Sequence, residues 1–106
     1  MYALVLLRPN RNRQPSRELD AEHEAFITAQ IRRNEIVLGG EWARAAGSFE
    51  AAYLLRKGSL GEARALAEDD PYVREGAFEA EIVEWRLVGV NPDAIDPEVV
   101  LRPTDV

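Results

Sequence analysis

The chain of 106 residues carries one histidine, His23, and no cysteine. Imidazole is the side chain whose ordinary titration falls near neutral pH, so acid–base chemistry in this chain centres on His23. On a helix at about 100° per residue, Phe26, Leu19, Gln30, His23, Ile27 and Ile31 fall in that order within an arc of roughly 140°. His23 lies near the middle of that apolar stripe, and Glu22 and Glu24 flank it. The spacing therefore aims the ring at whatever the helix packs on and the carboxylates at water. A titratable ring facing a core needs a partner. Gln30 on the same stripe, or a backbone carbonyl, would satisfy it without any function.

Asp69 and Asp70 form a second group. They close a helical segment that begins at Ser59-Leu60-Gly61-Glu62, a capping box, and whose inner face is Ala63, Leu66 and Ala67. Two carboxylates at a helix C-terminus oppose the macrodipole and cost stability unless something else uses them. Asp70 continues the inner face. With Pro71 at the first helical position and Gly76 after the last, it also reads as the N-cap of a short turn, DPYVREG. A cap alone and a cap with a second role both stay open at this level.

Four further residues are candidates for substrate contact. Arg8, at the end of the first strand, would neutralise an anionic substrate or form a surface ion pair. Gly40, in the pair Gly39-Gly40, permits close approach of another group. Trp42 beside the glycines suits a pocket wall, and Tyr72 is the other aromatic candidate, although Trp42, Tyr53, Tyr72 and Phe78 all also read as core. The polar loop PNRNRQPS adds Arg11 and Arg13, with Arg17 just beyond; it is a solvated connection or an anion site.

Other chemistries are excluded. No G-x-S-x-G, P-loop or dinucleotide fingerprint is present, so neither a serine nucleophile nor a cofactor is expected. A lone histidine without cysteine argues against a metal site within one chain, and the absence of cysteine fits a reducing cytoplasm. A net charge of −6 argues against nucleic acid as a partner. The apolar run Tyr2 to Leu7 is too short for a membrane span and lacks the basic residues of a leader, so a soluble chain with no membrane partner is expected.

One domain is expected from this length. YALVLL is apolar at every position, which suits a central strand covered on both faces. The His23 helix follows from Leu19 to Arg33, with Ser16 or Asp20 as its N-cap. EIVLGGEW reads as a strand, ARAAGS as a loop or hairpin connection, and FEAAYLLR as a third strand. After the second helix and the DPYVREG turn, AFEAEIVEWRLVG reads as a long last strand with a bulge or a second covered face. NPDAIDPEVVLRPTDV, with three prolines, reads as an extended tail or arm. The order βαββαβ is the α+β ferredoxin-like arrangement, a four-stranded antiparallel sheet with two helices on one face. Helices cover one face only, while the first and third strands are apolar on both. A homodimer through the uncovered face is therefore expected, with the tail helping.

His23 in the first helix, Gly39-Gly40, and above all EARALAEDDPYVREGAFEAEIVEW resemble the YCII-related domain, a branch of the dimeric α+β barrel superfamily. The resemblance runs from Tyr2 to about Val88, which divides the chain into a domain of residues 1–88 and a tail of 89–106. It implies a cofactor-free site in which His23 pairs with Asp70, or with Asp69, and a small-molecule substrate such as an aromatic or lactone ring. It also implies chemistry similar to muconolactone isomerases or to enzymes that eliminate halide from a hydroxylated ring. A carboxylate on one ring nitrogen would fix the tautomer and stabilise the charged form, which suits proton abstraction, elimination or isomerisation. A non-catalytic ligand-binding module or a structural dimer is the alternative.

Overall fold

The structure, a computed structural model, describes residues 1–102. The unbroken apolar run forms β1 (Tyr2–Pro9), which lies inside the sheet as such a run requires. The sheet is antiparallel in the order β2-β3-β1-β4, with β2 spanning Ile36–Ala46, β3 Phe49–Arg56 and β4 Phe78–Glu84. The helices α1 (Arg17–Arg32), α2 (Leu60–Glu68) and α3 (Pro71–Arg74) lie on one face. This is the expected α+β ferredoxin-like architecture with one short helix added.

Strand alternation sorts the core. Ala3, Val5 and Leu7 of β1 are fully buried, stand opposite Leu55, Tyr53 and Ala51 of β3, and share one core with Ala63 and Ala67 of α2. Leu4 and Leu6 point the other way, opposite Leu54 and Ala52. That second face is apolar at its centre, and two of its members, Leu38 and Val83, remain 52% and 44% exposed.

Local rules account for the element ends. Ser16, not Asp20, caps α1, accepting from the Leu19 N–H at 3.1 Å. Ser59 caps α2 in the same way, and the Glu62 carboxylate accepts from Gly58 rather than from the cap residue itself. Asp70 caps α3 with Pro71 in its first turn, and Gly76 follows at φ +77°, a conformation glycine takes without penalty.

Three expectations are corrected. ARAA belongs to β2, because Ala46 pairs with Phe49 and Gly47 at φ +66° makes the reversal tight, leaving Gly47-Ser48 as the connection. The last strand stops at Glu84, since its partner β1 begins at Tyr2; just beyond it the Trp85 N–H is held by the Tyr2 carbonyl. The tail is extended but contains two single 3-10 turns, Pro92–Ala94 and Pro97–Val99, each opened by an Asx-Pro pair. Residues 103–106 of the tail lie outside the described residues. Among the described residues no helix is long and apolar enough to cross a membrane.

Candidate active site

The loop after β1 brings α1 to α3. Asn10 donates its backbone N–H to Ala77 O (2.9 Å) and its side-chain amide to Gly76 O (3.0 Å), which ties the start of α1 to the turn that ends α3. His23, two turns into α1, thereby meets Asp70. The distance from His23 Nδ1 to Asp70 Oδ1 is 2.8 Å. Asp70 is wholly buried, and the His23 side chain is 16% exposed. A carboxylate accepts here from a ring that carries its proton on Nδ1, and which ring nitrogen donates depends on the tautomer. Gln30, the alternative partner on the same stripe, makes no such contact; Asp69 is exposed and ends α2.

Asp70 serves three donors. Its Oδ1 accepts from His23 and from the Tyr72 backbone N–H (3.0 Å), and its Oδ2 faces the Tyr53 hydroxyl at 3.4 Å. Cap and second role are thus combined in one side chain. Among the described residues His23 Nε2 has no hydrogen-bond partner and no buried side-chain nitrogen or oxygen lacks one, so Nε2 reaches solvent.

Two tyrosines frame the pair. The Tyr72 ring stacks on His23 with centroids 3.9 Å apart and 12° between planes, and on its other side meets Phe78 at 4.6 Å. Its hydroxyl donates a 2.6 Å bond to Asp20. Burial chiefly, then the bond to Asp20 and the charges of Asp20, Asp70 and Glu24, push the Tyr72 phenol far above the ordinary tyrosine range. Burial, then the charge and hydrogen bond of Asp70, do the same to Tyr53.

Of the expected site residues, the structure brings together His23, Asp70 and Tyr72. It does not bring Arg8, Gly40 or Trp42 to them. Arg8 alternates with Leu4 and Leu6 onto the sheet face away from the helices, where its guanidinium meets Glu81 (3.2 Å), Glu79 (3.5 Å) and the Phe49 ring. Gly40 stands opposite Ala52 and has the same parity, and Trp42 follows in the irregular stretch of β2 between Glu41 and Ala46. Asp20 and Tyr53 complete the arrangement without having been singled out. Asp20 precedes His23 by three residues on one helix, a spacing that places both on neighbouring positions; Tyr53 gives no local signal.

Two surface cavities lie elsewhere. One of about 530 Å³ runs along the outer side of α1 past Glu24, Thr28 and Arg32; one of about 440 Å³ lies between β4 and the helices, lined by Arg64, Val73, Phe78 and Ile82. Among the described residues no group of three or more carboxylate and imidazole side chains is arranged to hold a metal ion.

The family model of the YCII-related domain matches residues 1–86. The chain belongs to the YCII-related domain family. Comparison with curated protein sequences finds no relative. Among solved structures, this YCII-related chain is similar to 5-chloro-2-hydroxyhydroquinone dehydrochlorinase from Burkholderia phenoliruptrix, determined in complex with 2,5-dihydroxybenzoquinone. The TM-score is 0.60 at 18% identity, over 81% of this chain and 94% of that one. At that identity the likeness is one of fold.

Proposed function

We propose that this YCII-related protein is a small-molecule enzyme in which His23 and Asp70 move protons during an elimination or isomerisation of a hydroxylated or lactone ring. The observation that carries the reading is the 2.8 Å contact of His23 Nδ1 with a fully buried carboxylate, while Nε2 stays open. Nε2 takes a proton from a ring hydroxyl or from a carbon next to a carbonyl. Asp70 balances the charge of the imidazolium so formed. The electron pair left on the substrate then expels a leaving group such as halide, or is reprotonated at another atom by the same imidazolium. Tyr72 backs the ring that does this. The dehydrochlorinase activity and quinone ligand named for the structural neighbour support a hydroxylated ring as the substrate class.

The same reading includes a homodimer through the apolar second face of the sheet, around Leu4, Leu6 and Leu54, with the tail of residues 89–106 as an arm. A face with Leu38 and Val83 half-exposed beside the partly buried Leu4 and Leu6 is poorly suited to water. In that dimer Arg8 and Gly40 lie toward the interface, not at the reacting atoms. The chain works in the cytoplasm, where a protein without cysteine loses nothing to reducing conditions.

One observation favours a second reading. The Tyr72 N–H on Asp70 is an ordinary N-cap, so Asp70 would also be needed in a non-catalytic ligand-binding or structural dimer. The test is turnover of chlorinated hydroxyhydroquinones and unsaturated lactones by the natural protein and by His23→Ala. Loss of turnover with an unchanged circular dichroism spectrum is expected. Saturable binding without turnover by the natural protein would favour the second reading.

A further inference from the structure

Asp70 has no exposure at all, and its two oxygens are served unequally. Oδ1 faces both His23 Nδ1 and the Tyr72 backbone N–H; among the described residues Oδ2 faces the Tyr53 hydroxyl alone, at a long 3.4 Å. Without that hydroxyl, Oδ2 would be a buried charged oxygen with no donor, a costly state whose simplest relief is to bind a proton. A protonated Asp70 would turn donor toward His23. Nδ1 would then have to offer its lone pair, and the ring's own proton would sit on Nε2, the atom that must accept from a substrate.

We propose that Tyr53 is a positioning residue for the His23–Asp70 pair: its hydroxyl holds Asp70 as an acceptor on both oxygens, which keeps the His23 proton on Nδ1 and leaves Nε2 as the base. The inference rests on the reading of His23 as a base given above. Tyr53 is 3% exposed, in the middle of β3, and touches no substrate from there. Its place is made by a glycine. Gly39 stands opposite it on β2, and a Cβ there would come within 3.1 Å of the Tyr53 Cβ.

The other titratable groups around the pair are Tyr72 on α3 and, on α1, Asp20 and Glu24. Val5, Leu7, Ala51 and Leu55, the strand residues on the helix side there, are apolar, and Glu68 and Asp69 at the end of α2 are exposed. Among the described residues, Tyr53 is thus the one strand side chain that supplies a donor to Asp70.

Tyr53→Phe keeps the ring and deletes only the hydroxyl. Nitrogen-15 NMR of the single histidine reads its tautomer without any substrate. Near neutral pH the natural protein is expected to hold the Nδ1–H form, and Tyr53→Phe to gain the Nε2–H form, with the pH at which the two exchange raised by about one unit. With a substrate in hand, kcat should fall about tenfold near neutral pH while KM holds, and the acid limb of the rate profile should move up by about the same unit. Gly39→Ala, which presses on Tyr53 without removing its hydroxyl, should shift the tautomer the same way and serves if Tyr53→Phe fails to fold. An unchanged tautomer and pH response in whichever variant folds would overturn the proposal. Turnover surviving His23→Ala would sink the catalytic reading instead, and the tautomer experiment would still decide what Tyr53 does.

Discussion

The Tyr72 ring lies flat against His23, 3.9 Å between centroids, while its hydroxyl is fastened to Asp20 one helical turn earlier on the same helix. The imidazole is thereby held between a carboxylate at its edge and an aromatic plate on its face. Tyr72→Phe keeps the plate and loses the bond, and is expected to cost about 1 kcal/mol of stability. Tyr72→Leu also loses both ring contacts, each worth about 0.5–1.5 kcal/mol, and frees the imidazole to turn. Urea unfolding should rank the two in that order, and only the leucine variant should lower kcat by about tenfold or more.

The two roles of Asp70 separate by substitution. Asparagine caps a helix as well as aspartate does, and its amide can still face His23 and Tyr53, so Asp70→Asn should unfold within about 1 kcal/mol of the natural protein. Its lost charge no longer stabilises an imidazolium, and turnover should fall by about a hundredfold or more. Asp70→Ala removes the cap and leaves two buried donors unmet, a loss of about 2–4 kcal/mol. Equal stability of the alanine and asparagine variants would mean that the cap and the pair do not hold the fold.

Alkaline pH tests the tyrosines. Burial and neighbouring carboxylates raise both the Tyr53 and the Tyr72 phenols above the ordinary range. An unfolded chain gives up these protons near pH ~10, while the folded chain keeps them. Their contribution is therefore complete below that pH and is lost as pH rises beyond it. The urea midpoint should hold up to about pH 10 and then fall, with a shallower fall in Tyr72→Phe. A midpoint indifferent to alkali would show that neither phenol is held protonated by the fold.

Much of this was legible in the chain because it is local. Ser16, Ser59 and the Asp70-Pro71…Gly76 turn follow capping rules that act within a few residues, and His23 on an apolar stripe is a matter of helical period. The pairing of His23 with Asp70 spans 47 residues, and no spacing rule reaches that far; it came from the family resemblance. Tyr53 was hidden for a related reason. In a run as apolar as FEAAYLLR an aromatic residue reads as packing, and only the register of three strands places its hydroxyl under Asp70. The face that Arg8 takes was hidden because β1 is apolar at every position. An alternating strand declares which parity faces the helices; YALVLL does not, and Arg8 falls on the parity of Leu4 and Leu6. The length of β4 was set by where β1 begins, which β4 itself does not encode.

Gly39 and Gly40 are neighbours with opposite demands, and the contrast can be measured. At Gly39 an added Cβ would sit 3.1 Å from the Tyr53 Cβ, with the Ala52 carbonyl at 3.5 Å, so β2 or β3 must give way. At Gly40 nothing lies within 4 Å. Neither glycine has a positive φ, so backbone strain does not enter. Gly39→Ala should therefore cost about 1–3 kcal/mol, the usual penalty of overpacking. Gly40→Ala should be neutral or add a few tenths of a kcal/mol, because alanine restricts the unfolded chain more than glycine does. Activity supplies a second axis. If Gly40 receives a substrate, as its sequence context allowed, Gly40→Ala would lower turnover at full stability; from its place on the face away from His23, turnover should stay unchanged. Thermal unfolding and one assay on the two variants distinguish a glycine kept for Tyr53 from a glycine kept for a ligand.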